Sequence, residues 1–185
     1  NDTAIKLITY YNNALGRPSK KKFIVRQKAY HGVTLASGSA TQLPILHKDF
    51  DPLSQFIVTH APHYIAGRLS ESETEDEFTD RILADLEAMI LREGADTIAA
   101  FMAEPIQGAG GVIIPPRGYF GKLQAMLKKH DILLLADEVI TGFGRTGRAF
   151  GSEEYDFQPD IMCVAKALSS GYQPIGAVIL GEHIY

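Results

Sequence analysis

Apolar residues along this chain recur in two rhythms, a helical one and the unbroken one of buried strands. From Asp2 to Leu15 the positions Ala4, Leu7, Ile8, Tyr11 and Leu15 return at helical spacing, with Gly16 and Pro18 behind them as stop signals. A helix packed on a sheet is predicted there, capped by Asp2 or Thr3. Phe23 to Arg26 is a short β-prone run that leads into Ala29-Tyr30-His31-Gly32, so this tetrapeptide falls at a strand's end. From Val33 to Arg68 there is little periodicity beyond a brief apolar run, Phe56 to Val58, and a long, partly ordered loop is predicted. His60 and His63 are expected at its surface or packed within it.

An acidic opening from Glu71 to Asp80 precedes Phe78, Ile82, Leu86, Met89 and Ile90, as suits the N-terminus of an amphipathic helix, and Gly94 supplies the stop. Thr97 to Ala103 then runs apolar without a break and ends at Glu104-Pro105, before a glycine-rich turn from Gly108 to Gly111. A further helix is marked by Tyr119, Phe120, Leu123, Met126 and Leu127, with Lys128, Lys129 and His130 near its C-terminus. Ile132 to Ala136 and Ile161 to Ala165 are again continuous apolar runs, the mark of parallel strands covered on both faces. Ile175 to Leu180 follows after a connection, Lys166 to Pro174, that is too short for a parallel crossover, so this last strand is predicted antiparallel to its neighbour. The order of elements describes an α/β domain with a mostly parallel sheet, helices on both faces and one antiparallel strand.

Composition narrows the class. A chain of 185 residues, 45% hydrophobic and 22% charged, is long enough for one soluble domain with a sizeable core. A net charge of −4 argues against broad electrostatic binding to nucleic acid or anionic membranes. No apolar run approaches the roughly 20 residues that cross a bilayer, and no basic-then-apolar leader opens the chain, so a cytoplasmic protein is expected. Lys20, Lys21 and Lys22 are expected in a solvated turn, and Cys163 as a small buried hydrophobe.

Candidate chemistry gathers at strand ends. Lys166 directly follows an apolar run, where burial would lower the affinity of its amine for a proton and make it a Schiff-base-forming nucleophile. Asp137 and Glu138 end another run: one carboxylate can face a site and hold a cationic ring nitrogen while the next makes structural hydrogen bonds. Glu104 repeats the arrangement. Each residue alone has a plain alternative, as a lysine reaching solvent, a helix cap or a surface pair. Three adjacent parallel strands would bring Glu104, Asp137 and Lys166 to one carboxyl edge, which is the stronger signal. Gly142-Phe-Gly-Arg-Thr-Gly147 matches GxGxxG, but no helical stripe follows it, so it is read as a turn and not as a dinucleotide loop. The histidines form no metal-binding spacing.

The segments AYHG, AEPIQGAGG, LLLADEVITGFGRTG and PDIMCVAKALSSGYQPIGAV, in this order and spacing, resemble the class III aminotransferases of pyridoxal-phosphate fold type I, most of all the amine:pyruvate or omega-aminotransferase branch. The resemblance implies pyridoxal 5'-phosphate as cofactor, and a small-molecule amine donor and a 2-oxo acid such as pyruvate as substrates. Lys166 is similar to the lysine that binds the cofactor and later shuttles a proton, and Asp137 to the aspartate that pairs with the ring nitrogen. Tyr30 resembles the aromatic residue stacked on one ring face and Val139 the aliphatic residue on the other, with His31 and Gly32 completing the aromatic side and Glu104 lining the site behind the ring. Ile140 stands where many amino-acid-specific relatives carry glutamine, which favours the amine-specific branch. An aminomutase or decarboxylase of the same fold would share these residues.

The family's phosphate-binding Gly-Ser turn would precede Asn1, and a threonine lent by a neighbouring subunit of a homodimer would follow Tyr185. Residues 1–185 are thus expected to be the central part of the cofactor-binding large domain, with an N-terminal segment and a C-terminal small domain outside them. On its own this piece is expected to bind the cofactor weakly and turn over little.

Overall fold

Alternating side chains of a single sheet feed two separate cores in the computed structural model, which describes residues 1–60 and 72–185. The elements are α1 (Asp2–Ala14), β1 (Lys22–Arg26), α2 (Leu35–Ala40), β2 (Ile57–His60), α3 (Glu75–Glu93), β3 (Ile98–Ala103), α4 (Tyr119–Lys129), β4 (Leu133–Asp137), α5 (Gly151–Glu154), β5 (Ile161–Val164) and β6 (Ala177–Leu180). The sheet has six strands in the order β2-β1-β3-β4-β5-β6. Five of them run parallel, and β6 pairs with β5 antiparallel, as the short connection requires.

Period-two geometry divides the strand residues between the faces. Ile24, Phe101, Leu134 and Ala136 meet Phe78, Ile82, Leu86 and Ile90 of α3 and Phe120, Leu123 and Leu127 of α4. Phe23, Val25, Met102, Leu135 and Cys163 meet Ala4 and Ile8 of α1 on the other face. All six residues of β3, at the sheet's centre, are buried. In the first core the Phe120 and Phe157 rings stack with centroids 4.2 Å apart. No helix among the described residues is long and apolar enough to cross a membrane.

Several local expectations change. Ile57–His60 is not loop but the edge strand β2, parallel to β1, and His60 is buried at its end; Glu71 and His63 lie outside the described residues. The buried stripe of α1 is Ala4, Ile8 and Asn12, while Leu15 is exposed. Asp2 does not cap its own helix: its Oδ1 accepts from the Ala36 and Ser37 backbone N–H groups at 3.2 and 3.4 Å, in the first turn of α2. Helix α3 begins with a capping box, Thr74 accepting from the Glu77 N–H while the Glu77 carboxylate accepts from the Thr74 N–H.

Lys20 is not solvated. Only 5% exposed, it donates to the Ile98 carbonyl at 3.4 Å and to the Asp131 carbonyl, with the Asp131 carboxylate 3.5 Å away. These oxygens answer a buried charge that would otherwise be costly. Burial still holds its amine below the ordinary lysine range, against the pull of Asp131.

Candidate active site

Parallel strands point their carboxyl ends the same way, and this brings distant parts of the chain together. Tyr30, His31 and Gly32 follow β1, Glu104 follows β3, Asp137 closes β4, and Lys166 stands just past β5. With Asn1, Val139 and Ile140 they line one cavity of about 240 Å³. Every candidate residue of the sequence therefore reaches the same place.

The chain's geometry differs at each wall. Lys166 is exposed, so the burial argument for its amine does not hold in this structure. Its φ is 43°, in the left-handed region that a non-glycine residue occupies at a cost of about 1 kcal/mol or more, and such strain gathers at functional sites. It opens the tight turn Lys166–Leu168. Gly32 has φ of 133°, and a β-carbon there would collide with the Ser37 hydroxyl, so only glycine lets the backbone take this path beside the cavity.

Asp137 is 3% exposed and holds three hydrogen bonds. Its Oδ2 accepts from His31 Nδ1 at 2.8 Å and Asn1 Nδ2 at 2.7 Å, and its Oδ1 from the Val139 N–H at 3.2 Å. The same Asn1 amide donates to the His31 carbonyl at 2.6 Å. Thr41, buried in turn, accepts from the His31 N–H at 2.8 Å and donates to the Gly32 carbonyl at 2.9 Å, which fixes the backbone beneath Tyr30. Asn1 and Thr41 carry no periodic or motif signal of their own in the sequence.

Glu104 ties two walls together. Oε1 accepts from the Tyr30 N–H at 2.9 Å and Oε2 from the Gly108 N–H at 3.0 Å. Burial pushes its carboxyl up from the ordinary glutamate range, with His31, the Tyr30 N–H and Arg26 pulling the other way. Burial likewise pushes the Cys163 thiol up to about 11, in keeping with a small buried hydrophobe.

Glu138 takes the structural role. Fully buried, it accepts from the Gly151 and Ser152 N–H groups at 2.9 and 2.7 Å and from the Thr141 hydroxyl. It pins the segment containing Gly142 to Gly147, which forms turns with Gly144 and Gly147 at φ of 93° and 90° and opens no helix. The dinucleotide-like pattern is thus a turn pattern. Glu138→Ala strands two buried N–H donors, and each such loss costs about 1–3 kcal/mol. A fall in the urea midpoint with the slope unchanged is the expected readout; a midpoint equal to wild type would show that water replaces the carboxylate.

A family model described as aminotransferase class-III matches residues 1–185. A rice protein named probable gamma-aminobutyrate transaminase 3, mitochondrial (Oryza sativa subsp. indica), is 58% identical over 185 residues, covering 100% of this chain and 36% of the relative. A tomato protein named gamma aminobutyrate transaminase 3, chloroplastic (Solanum lycopersicum), is also 58% identical, covering 100% of this chain and 35% of its own length. Among solved structures, the omega transaminase from Pseudomonas jessenii in complex with PMP superposes with a TM-score of 0.94 at 52% identity, over 100% of this chain and 41% of that one. The chain therefore spans little more than a third of the length of the curated relatives it matches. The expectation of a cytoplasmic protein is overturned here, because these relatives are named for mitochondria and chloroplasts.

Proposed function

The chain belongs to the class III aminotransferase family, and from that premise we propose that residues 1–185 are the central part of the large domain of an enzyme that moves an amino group from a primary amine or ω-amino acid to a 2-oxo acid such as pyruvate. Class III aminotransferases depend on pyridoxal phosphate. The residues present fit that group: one cavity offers an amine for its aldehyde, a buried carboxylate for its ring nitrogen, and the side chains of Tyr30 and Val139 for its faces. Asn1, at the start of the 13-residue helix α1, also lines the cavity, and the positive end of a helix favours a phosphate nearby. The observation that carries the reading is the meeting of Asp137 and Lys166 in this cavity.

Bound there, pyridoxal phosphate would supply an electron sink for the pair left behind when a C–H proton departs from the substrate. Asp137 would hold the ring nitrogen in its protonated, electron-withdrawing form. Lys166 Nζ would anchor the cofactor, yield to the incoming amine, and then carry the proton from the substrate carbon. Tyr30 and Val139 would keep the ring flat between them, and Glu104 would hold the Tyr30 backbone against the turn at Gly108. Ile140, an apolar lining residue, and the γ-aminobutyrate named for the rice and tomato relatives favour an amine or ω-amino acid donor. In the full-length protein, a homodimer would complete the phosphate site.

Borohydride reduction of the cofactor-loaded full-length protein, followed by peptide mapping, is expected to place the label on Lys166. A label on another lysine, or none, would overturn the assignment. Incubation with γ-aminobutyrate and pyruvate is expected to yield alanine, and release of carbon dioxide or an isomerised amino acid instead would point to a different reaction of the fold.

A further inference from the structure

We propose that Asn1 and His31 are positioning residues that lock the Asp137 carboxylate through Oδ2 and so reserve Oδ1 for the cofactor's ring N–H. The proposal rests on the reading of this cavity as a pyridoxal phosphate site and adds to it the two groups that aim the aspartate.

Three observations carry it. A carboxylate oxygen has room for about two in-plane hydrogen bonds. Oδ2 already holds two short ones, from Asn1 at 2.7 Å and His31 at 2.8 Å, while Oδ1 holds one longer bond, from the Val139 N–H at 3.2 Å. The free acceptor capacity of this buried carboxylate therefore lies on Oδ1.

Asn1 stands at the position before α1 where an asparagine side chain ordinarily caps the helix, yet it makes no cap hydrogen bond. Both amide hydrogens are spent on the site instead, one on Asp137 and one on the His31 carbonyl at 2.6 Å. The helix start is thus coupled to the aspartate rather than to its own first turn.

The His31 side chain is completely buried, and its Nε2 has no hydrogen-bond partner among the described residues. A carboxylate only accepts, so the imidazole proton must sit on Nδ1, and the bond to Asp137 is the one hydrogen bond the ring makes among the described residues. A buried polar ring kept for a single bond is costly, and that cost is sustained where the bond sets a geometry. The Asn1, His31 and Asp137 bonds close into one ring of contacts, with Thr41 fixing the His31 and Gly32 backbone from below. Removing either donor frees the carboxylate to rotate, and the aim of Oδ1 is lost.

The test uses the full-length protein loaded with pyridoxal phosphate carrying ¹⁵N at the ring nitrogen. Nuclear magnetic resonance reports whether that nitrogen is protonated, and absorbance titration of the apoprotein reports cofactor affinity. Wild type is expected to show the protonated signal and Asp137→Asn to lose it. Asn1→Ala and His31→Leu are expected to lose or strongly broaden it and to weaken cofactor affinity about 10-fold to 100-fold, as the loss of a charge-assisted hydrogen bond implies. His31→Asn places an amide nitrogen where Nδ1 stood and is expected to restore both readouts.

If Asp137→Asn loses the signal while Asn1→Ala and His31→Leu keep both signal and affinity, the positioning role is overturned and the cofactor site stands. If His31→Asn fails along with His31→Leu, and both apoproteins unfold earlier than wild type, the role is structural and the proposal fails. If wild type binds no pyridoxal phosphate, or Asp137→Asn keeps the protonated signal, the underlying reading of the site falls, and the proposal with it.

Discussion

Lys166→Ala in the full-length, cofactor-loaded protein is expected to lower kcat for amino transfer to pyruvate by about 10⁴-fold, the upper range for losing a positioned acid–base group. Lys166 would serve twice, as the anchor and as the base at the substrate carbon. The lining carboxylates are not free to replace it: Glu104 and Asp137 are each held by backbone or side-chain donors. The His31 imidazole is likewise bound to Asp137. Single-turnover rates in both half-reactions would show the loss, and a small primary amine added to the buffer is expected to restore a measurable part by taking over the proton transfer. Because Lys166 is exposed and its backbone is already strained at φ of 43°, alanine removes no core contact. The unfolding midpoint should therefore stay near that of wild type. Turnover within about tenfold of wild type would remove Lys166 from the base's role.

What could be read in advance follows from how local each signal is. Lys166, Asp137 and Glu104 stand at the ends of unbroken apolar runs, and such runs can only be buried parallel strands or buried helix; their length of four to six residues decides for strands. Chain order and the parallel rule then place the three residues on one edge. The antiparallel β6 was legible for the same reason, from the length of one connection. Strand β2 was not: it lies at the sheet's edge, only one of its four residues is buried, and so its sequence carries a single short apolar run. Position along the strand left open which of Asp137 and Glu138 faces the cavity, since neighbouring strand-end residues point opposite ways without saying which way is in; only the family resemblance named Asp137.

Contacts that span the chain left no local trace. Asn1 reaches Asp137 across almost three-quarters of the sequence, and nothing near Asn1 marks it as more than a helix start. Lys20 misled through the opposite fault, since a run of three lysines looks solvated until the Asp131 and Ile98 oxygens are seen around the first of them.

Arg26→Ala is expected to cost about 3–5 kcal/mol of stability, the range for truncating a large buried side chain to alanine. Arg26 is 0% exposed at the C-terminal end of β1. Its guanidinium donates to the Glu104 carbonyl and the Tyr119 hydroxyl and lies 5.8 Å from the centre of the Phe120 ring. Burial lowers its hold on the proton, while Tyr119 and Glu104 raise it again. Alanine would leave a void, an unanswered carbonyl at Glu104 and a buried hydroxyl at Tyr119, so packing and polar losses add. Arg26→Met fills most of the volume and is expected to recover a good part of the cost, separating the packing share from the polar one. Because the Glu104 side chain holds the Tyr30 and Gly108 backbones, loosening its main chain should reach the cavity as well, and cofactor affinity is expected to fall in both variants. Urea denaturation of the apoprotein measures the first effect and cofactor titration the second. Wild-type stability in Arg26→Ala would show that this buried cation supports neither the core nor the site above it.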